Sequence, residues 1–172
     1  MIRRRVRLYL DVDGAVNAEM PSGWGKLLNG QAAAERHLWA IRWAPAMITE
    51  LNKLDVDLVW TTTWRSYGES SIAPLVGLTL PSRVLHPLSG ITTFPSIDWK
   101  MEAIIADQRD SPSPFIWVDD EIGMRDMYVA EARGGLAIST NPVLGIKPMN
   151  VVAMQEYIEA ARQAQTTESL SS

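Results

Sequence analysis

The chain has 172 residues, no cysteine, a net charge of −4 and a pI near 5.2. That length suits one domain with a proper core. Without cysteine, disulfides, thiolate metal sites and a cysteine nucleophile are excluded, and the acidic balance excludes a global basic footprint for nucleic acid. The hydrophobic fraction of 47% and charged fraction of 21% are those of an ordinary globular protein. No apolar run approaches a membrane span. The start, MIRRRVRLYL, fails as an export segment because its apolar stretch is short, contains Arg7 and ends at Asp11. A soluble, cytoplasmic protein is expected. The basic cluster Arg3, Arg4, Arg5 and Arg7 could touch phosphates, but the favoured reading is a solvated chain end.

The first element is a strand over 6–10, whose apolar residues Val6, Leu8 and Leu10 stop abruptly at Asp11. Asp13 follows, and Gly14 lets the backbone turn away. Two carboxylates thus stand at the carboxyl end of a buried strand, where open α/β sheets build their ligand sites. Such a pair can hold a divalent cation while one member attacks an electrophile and the other handles a proton. Residues 18–43 contain Pro21, Gly23, Gly25 and Gly30 and read as a flap or small cap over this strand end. Asn29-Gly30 is a hairpin-type turn signal, and 37–43 alternates bulky and polar residues. The alternative is a surface loop with one helix through 32–40.

Pro45 fits the first turn of a helix in which Ile48, Leu51 and Leu54 recur at helical spacing. The strand over 57–60 ends in Thr61-Thr62-Thr63-Trp64-Arg65. A second Asp-Val-Asp, Asp55 to Asp57, precedes this strand rather than following it. Those acids belong to the opposite edge of the sheet and read as a solvated loop. A short strand over 84–85 is closed by Pro87, and 97–107 is a helix with Ile104 and Ile105 on its apolar side. The strand over 115–118 lies between Ser-Pro-Ser-Pro and Asp119-Asp120. A helix over 124–133 stops at Gly134-Gly135, a strand follows over 136–139, and Asn150 can cap a last helix to about 163. Met154, Ile158 and Ala161 are its inward residues. One domain over 1–163 is expected, with 164–172 a frayed tail.

This alternation predicts an α/β fold with a mostly parallel, doubly wound sheet. One edge then collects Asp11 and Asp13, Thr61 to Thr63, Lys100, and Asp119 with Asp120. Several acids offer oxygen ligands to a hard cation such as Mg²⁺. A hydroxyl beside backbone N–H groups can bind a phosphoryl oxygen, and a lysine can neutralise its charge.

These pieces, DVDG, the threonine after LVW, Lys100 and WVDD, resemble the ordered motifs of the haloacid dehalogenase-like (HAD) superfamily over roughly residues 6–160. WTTTW, the WK lysine and IWVDDE are similar to the branch known as the HAD domain of Swiss-Army-knife RNA-repair proteins. Pro142 and Gly145-Ile146 resemble the segment that follows the last core strand there. The implied fold is the Rossmann-like HAD core with a minimal cap. The implied activity is a Mg²⁺-dependent phosphohydrolase acting on a phosphomonoester through an aspartyl-phosphate. Asp11 would be the nucleophile and Asp13 the general acid and base. Asp11, the backbone carbonyl of Asp13, and Asp119 or Asp120 would hold the metal. Thr62, with Thr63 beside it, and Lys100 would bind the phosphoryl group. Arg65 could bind a substrate phosphate or be a solvated helix residue.

Other residues carry less chemistry. Of seven Trp, Trp39, Trp43, Trp60 and Trp117 read as core, whereas Trp24 and Trp64 suit a site rim that could stack bases. His37 and His86 lack metal-ligand spacing, the methionines are core filler, and Gly23-Trp24-Gly25-Lys26 is too short for a P-loop. A signalling receiver would need its phospho-acceptor on a middle strand, which is the wrong order here. A non-catalytic module with this fold would normally have lost one of the four motifs. The expected partner is a phosphorylated small molecule or a nucleic-acid end, with a small-metabolite phosphatase as the alternative.

Overall fold

The computed structural model describes residues 4–88 and 98–170. Five strands form a wholly parallel sheet: β1 (Val6–Leu10), β4 (Val56–Trp60), β5 (Ser82–Val84), β6 (Phe115–Asp119) and β7 (Leu136–Ser139). Their order is β5-β4-β1-β6-β7, so β1 is central and its carboxyl end lies between those of β4 and β6. In register, Leu10 stands beside Trp60 and Val118, which sets Asp11, Thr61 and Asp119 side by side. Both β1 and β6 are near-continuous apolar runs because both sheet faces are covered.

Alternation along the strands divides the core. Leu8, Leu10, Leu58, Trp60, Ile116 and Val118 pack on one face with α1 (Pro45–Leu51) and α5 (Pro148–Leu170). Tyr9, Val59, Phe115 and Trp117 face the other way, against α3 (Asp98–Asp110) and α4 (Met124–Ala132). A short α2 (Ala73–Val76), reached through a widened turn of helix at Gly68–Ile72, packs with the first face. The doubly wound reading therefore holds. None of the helices among the described residues is long and apolar enough to cross a membrane.

Within the segment over 18–43, β2 (Leu28–Ala34) and β3 (His37–Trp43) pair as an antiparallel hairpin. The 32–40 helix does not form. The turn lies at Glu35-Arg36 rather than at Asn29-Gly30: Ala34 pairs with His37, and Glu35 takes a positive φ of 56°. Gly30 sits inside β2 for a packing reason, since a Cβ there would meet Leu75 and Trp43 at 3.0–3.1 Å. Alternate residues put Gly30, Ala32 and Ala34 opposite Ile41, Trp39 and His37 on one hairpin face. Ile41 and Trp43 are buried at its base, but Trp39 is 54% exposed, which corrects the expectation of a core residue.

Other boundaries moved for identifiable reasons. The strand expected over 84–85 lies at Ser82–Val84, because Leu58 and Trp60 pair with those residues. Asn150 is not the cap of α5. Pro148 begins that helix, and the Asn150 side chain reaches back to accept from the Lys147 N–H at 2.8 Å. The helix continues past the expected stop near 163 to Leu170, tied down by Gln165, which exchanges two hydrogen bonds with the Arg4 backbone. Ile97, expected to start α3, lies outside the described residues.

The amino edge of the sheet is an ionic belt. Arg5 bridges Asp55 at 2.7 Å and Asp57 at 2.9 Å, and Arg162 joins Asp55 at 2.6 Å. The second Asp-Val-Asp is therefore occupied by structure at the edge away from Asp11. On α3, Asp107 receives Arg7 at 3.0 Å, Arg83 at 2.6 Å and the Tyr9 hydroxyl at 2.6 Å. Burial opposes ionisation of Asp107, yet these donors outweigh it and hold its carboxyl below the ordinary value. Arg5 and Arg7 are thus paired at the amino edge, which corrects the reading of a solvated chain end; Arg3 lies outside the described residues.

Candidate active site

Asp11 follows β1 directly, and its backbone N–H continues the ladder to Val118 O at 3.0 Å. The chain then turns at Gly14, whose φ is +70°. Glycine is required there twice over, because a Cβ would come within 2.2 Å of the Asp120 carboxyl carbon. The same loop is buttressed by Thr140, which donates to Gly14 O at 2.7 Å, and by Gly145, where a Cβ would strike Ala15 O at 2.6 Å. The Pro142 to Ile146 segment thus supports the DVDG turn from below.

Lys100 is 1% exposed and donates to Asp11 Oδ2 and Asp119 Oδ2, each at 2.7 Å, with Glu121 at 3.5 Å. Burial works against its charge, but the two carboxylates dominate and raise its pKa above the ordinary lysine value. The pKa values of the acids rise as well, which for a carboxyl favours the neutral form. Burial pushes Asp11 up despite Lys100, and burial with the Asp11 charge pushes Asp119 up to about 7. Asp120 is raised by burial and by Asp11 as well.

Asp11, Asp119 and Asp120 each offer a carboxylate oxygen, and the three oxygens lie within 4.8 Å of one another. Three buried or half-buried acids against one lysine leave the fully ionised cluster short of positive charge. An all-oxygen donor set with surplus negative charge fits a hard divalent cation. The Asp13 carboxylate is not in this trio. It is exposed and gripped from both sides, by Trp64 Nε1–H at 2.8 Å and Asn17 Nδ2 at 2.7 Å. Asn17 in turn accepts from the Arg42 N–H of β3 at 2.9 Å, tying Asp13 to the hairpin.

The three threonines separate cleanly. Thr61 spends its hydroxyl on Val59 O at 3.1 Å, and Thr63 is exposed. Thr62 is buried with its hydroxyl against Asp11, where it helps hold the carboxylate ionised. Arg65 is not a helix residue: it occupies the turn before the helical stretch with φ 52°, an uncommon conformation away from glycine.

Residues 7–151 match the family described as the HAD domain in Swiss Army Knife RNA repair proteins. The chain belongs to this family. No curated protein and no solved structure matches it. In this HAD domain the resemblance carried by DVDG, Thr62, Lys100 and WVDD agrees with the family assignment. The acid cluster sits where those motifs converge.

A cavity of about 470 Å³ opens beside Asp13, between the hairpin and the 63–67 turn. A larger recess of about 1450 Å³, lined by Arg4, Arg109, Phe115 and Tyr157 among others, lies at the amino edge and contains none of the residues of the acid cluster. Two residues beside the acids escaped sequence reading. Trp39 reaches the cavity from β3, and Asn17 steadies Asp13. Trp24, expected at the rim, is half-buried with its indole N–H on Ile146 O at 2.7 Å and does not line that cavity. His37 lies edge-on to Trp39, with ring centroids 6.4 Å apart, and His86 is exposed.

Proposed function

We propose that this HAD domain is a Mg²⁺-dependent phosphohydrolase that cleaves a phosphomonoester on a nucleotide or nucleic-acid end. One observation carries the reading: a buried carboxylate inside the acid cluster, Asp11, stands beside an exposed carboxylate, Asp13, held outside it by neutral donors. The first, paired with Lys100, suits a nucleophile, and the second a proton carrier open to the leaving group and to water.

In the first half-reaction the Asp11 carboxylate attacks phosphorus and the bond to the leaving oxygen breaks. Asp13 gives its proton to that oxygen, so an alcohol departs and an aspartyl-phosphate remains. Asp13 then takes a proton from water as it attacks the same phosphorus, releasing phosphate and restoring Asp11. Thr62 and Lys100 bind the phosphoryl oxygens, and Thr63 and Arg65 lie on the side of the rest of the substrate. A magnesium ion held by Asp11, the Asp13 carbonyl, and Asp119 or Asp120 would offset negative charge on the phosphoryl group and on the acids. The description of the family as RNA repair proteins supports a nucleic-acid end as substrate.

Phosphate release from nucleotides and 3′- or 5′-phosphorylated oligonucleotides, with and without Mg²⁺, tests the proposal. Asp11→Asn keeps shape but removes the nucleophile's charge. Turnover should fall by orders of magnitude, while metal-free thermal stability stays level or rises through relieved repulsion. Near wild-type turnover in that variant would sink the mechanism.

A further inference from the structure

We propose that the cavity beside Asp13 binds the leaving group of the substrate, and that this group is a nucleoside whose base stacks on Trp39. The inference rests on the phosphohydrolase reading, which makes Asp13 the acid that protonates the departing oxygen. Asp13 lines the cavity, whereas Asp11, Lys100, Asp119 and Asp120 do not. The recess is therefore on the leaving-group side of the reacting phosphorus. Its volume of about 470 Å³ falls within the range of small-ligand sites.

The walls are chosen for a flat ring. Trp39, Trp64 and Tyr67 line the cavity, with Arg65 among them and Ala34 across from the rings. Trp39 stands edge-on to Trp64 and to His37, with centroids 6.4 Å apart at interplanar angles of 73° and 72°. Held in T-shaped contact with two rings yet 54% exposed, it keeps a broad aromatic surface open to water. Such a surface, held in place by its neighbours, can stack a base. The opposite strand keeps room for the ring, since Ala32 and Ala34 pair with Trp39 and His37. Trp64 also holds Asp13 through its indole N–H, so the stacking wall and the proton carrier form one unit.

A sugar phosphate has no ring face to offer this wall. Stacking contributes about 5- to 100-fold in affinity per base. The kcat/KM of adenosine 3′- and 5′-monophosphates should therefore exceed that of ribose 5-phosphate by roughly that ratio in the wild type. The ratio should collapse in Trp39→Ala and largely survive in Trp39→Phe. A second arm needs no turnover: saturation transfer from protein to the base protons of adenosine, with the Asp11→Asn protein, reports the subsite directly. Transfer should be present with Trp39 intact and lost when Trp39→Ala is added. A wild-type ratio near one, a ratio unchanged by Trp39→Ala, or adenosine signals indifferent to it would overturn the subsite. Absence of hydrolysis for every phosphate alongside Trp39-dependent adenosine binding would instead overturn the phosphohydrolase reading and leave a nucleoside site standing.

Discussion

Replacing Lys100 with Met isolates the electrostatics of the acid cluster without requiring any turnover. The Lys100 side chain is 2% exposed and makes two 2.7 Å contacts, to carboxylates that are 8% and 0% exposed. Methionine fills similar space but leaves Asp11, Asp119 and Asp120 with no buried cation among them. Breaking a buried pair in this way costs about 3–5 kcal/mol. For a domain of this size that corresponds to a Tm lower by roughly 6–20 °C. The loss must depend on pH. Without Lys100 the folded acids bind protons more tightly than the unfolded chain does, so stability falls as pH rises from the ordinary carboxylate range towards their folded pKa values. Differential scanning fluorimetry in EDTA should therefore show a larger deficit at about pH 8 than at about pH 5. Added Mg²⁺ should recover part of it, by replacing the missing positive charge. A Tm within about 2 °C of wild type at the higher pH, in EDTA, would refute the claim that Lys100 neutralises this cluster.

With burial and the Asp11 charge pushing Asp119 up to about 7, a cation bound there would have to displace a proton below that pH. Mg²⁺ affinity by calorimetry should rise by up to about tenfold per pH unit below that value and level off above it; a pH-independent affinity would contradict this. Changing both Asp55 and Asp57 to Asn should leave turnover and metal affinity within a few-fold. It removes exposed pairs to Arg5 and Arg162, and the stability cost should be at most about 1 kcal/mol each; a large loss of turnover would mean that the amino-edge assignment fails. A phosphorylated oligonucleotide end should be cleaved with higher kcat/KM than a free sugar phosphate. Competition kinetics at two ionic strengths should show that preference weakening as salt rises, and a salt-insensitive preference for the sugar phosphate would rule out the nucleic-acid end.

Much of the acid-lined edge is written in one dimension, because apolar runs that stop at Asp11, Thr61 and Asp119 are the strands whose ends meet. Polarity along the chain also separates the two Asp-Val-Asp tripeptides. The hairpin was less legible. Asn29-Gly30 carries the usual turn chemistry, yet the turn falls at Glu35-Arg36, since close packing on Trp43 and Leu75 claims Gly30. Trp39 shares a strand face with the buried Ile41 and Trp43, and periodicity alone does not tell where a strand leaves the core. Asn17 acts through a contact to Asp13 and another to Arg42, a relation only the folded chain displays. The reach of α5 to Leu170 depends on Gln165 meeting Arg4 across the whole sequence.

Helix α3 joins the two edges of the sheet in a way that constrains its own seating. Lys100 and Asp107 are seven residues apart, two turns along one face, with the buried Ala103 and Ile104 between them. Each end locks into a partner set of opposite charge, acids at one edge and Arg7 with Arg83 at the other. The helix behaves as a shaft keyed at both ends. Sliding it by one residue, about 1.5 Å, would withdraw both keys together, so no neighbouring register offers a partial match. The amino-edge arginines thereby set where the lysine stands among the acids, roughly 10 Å away along the axis.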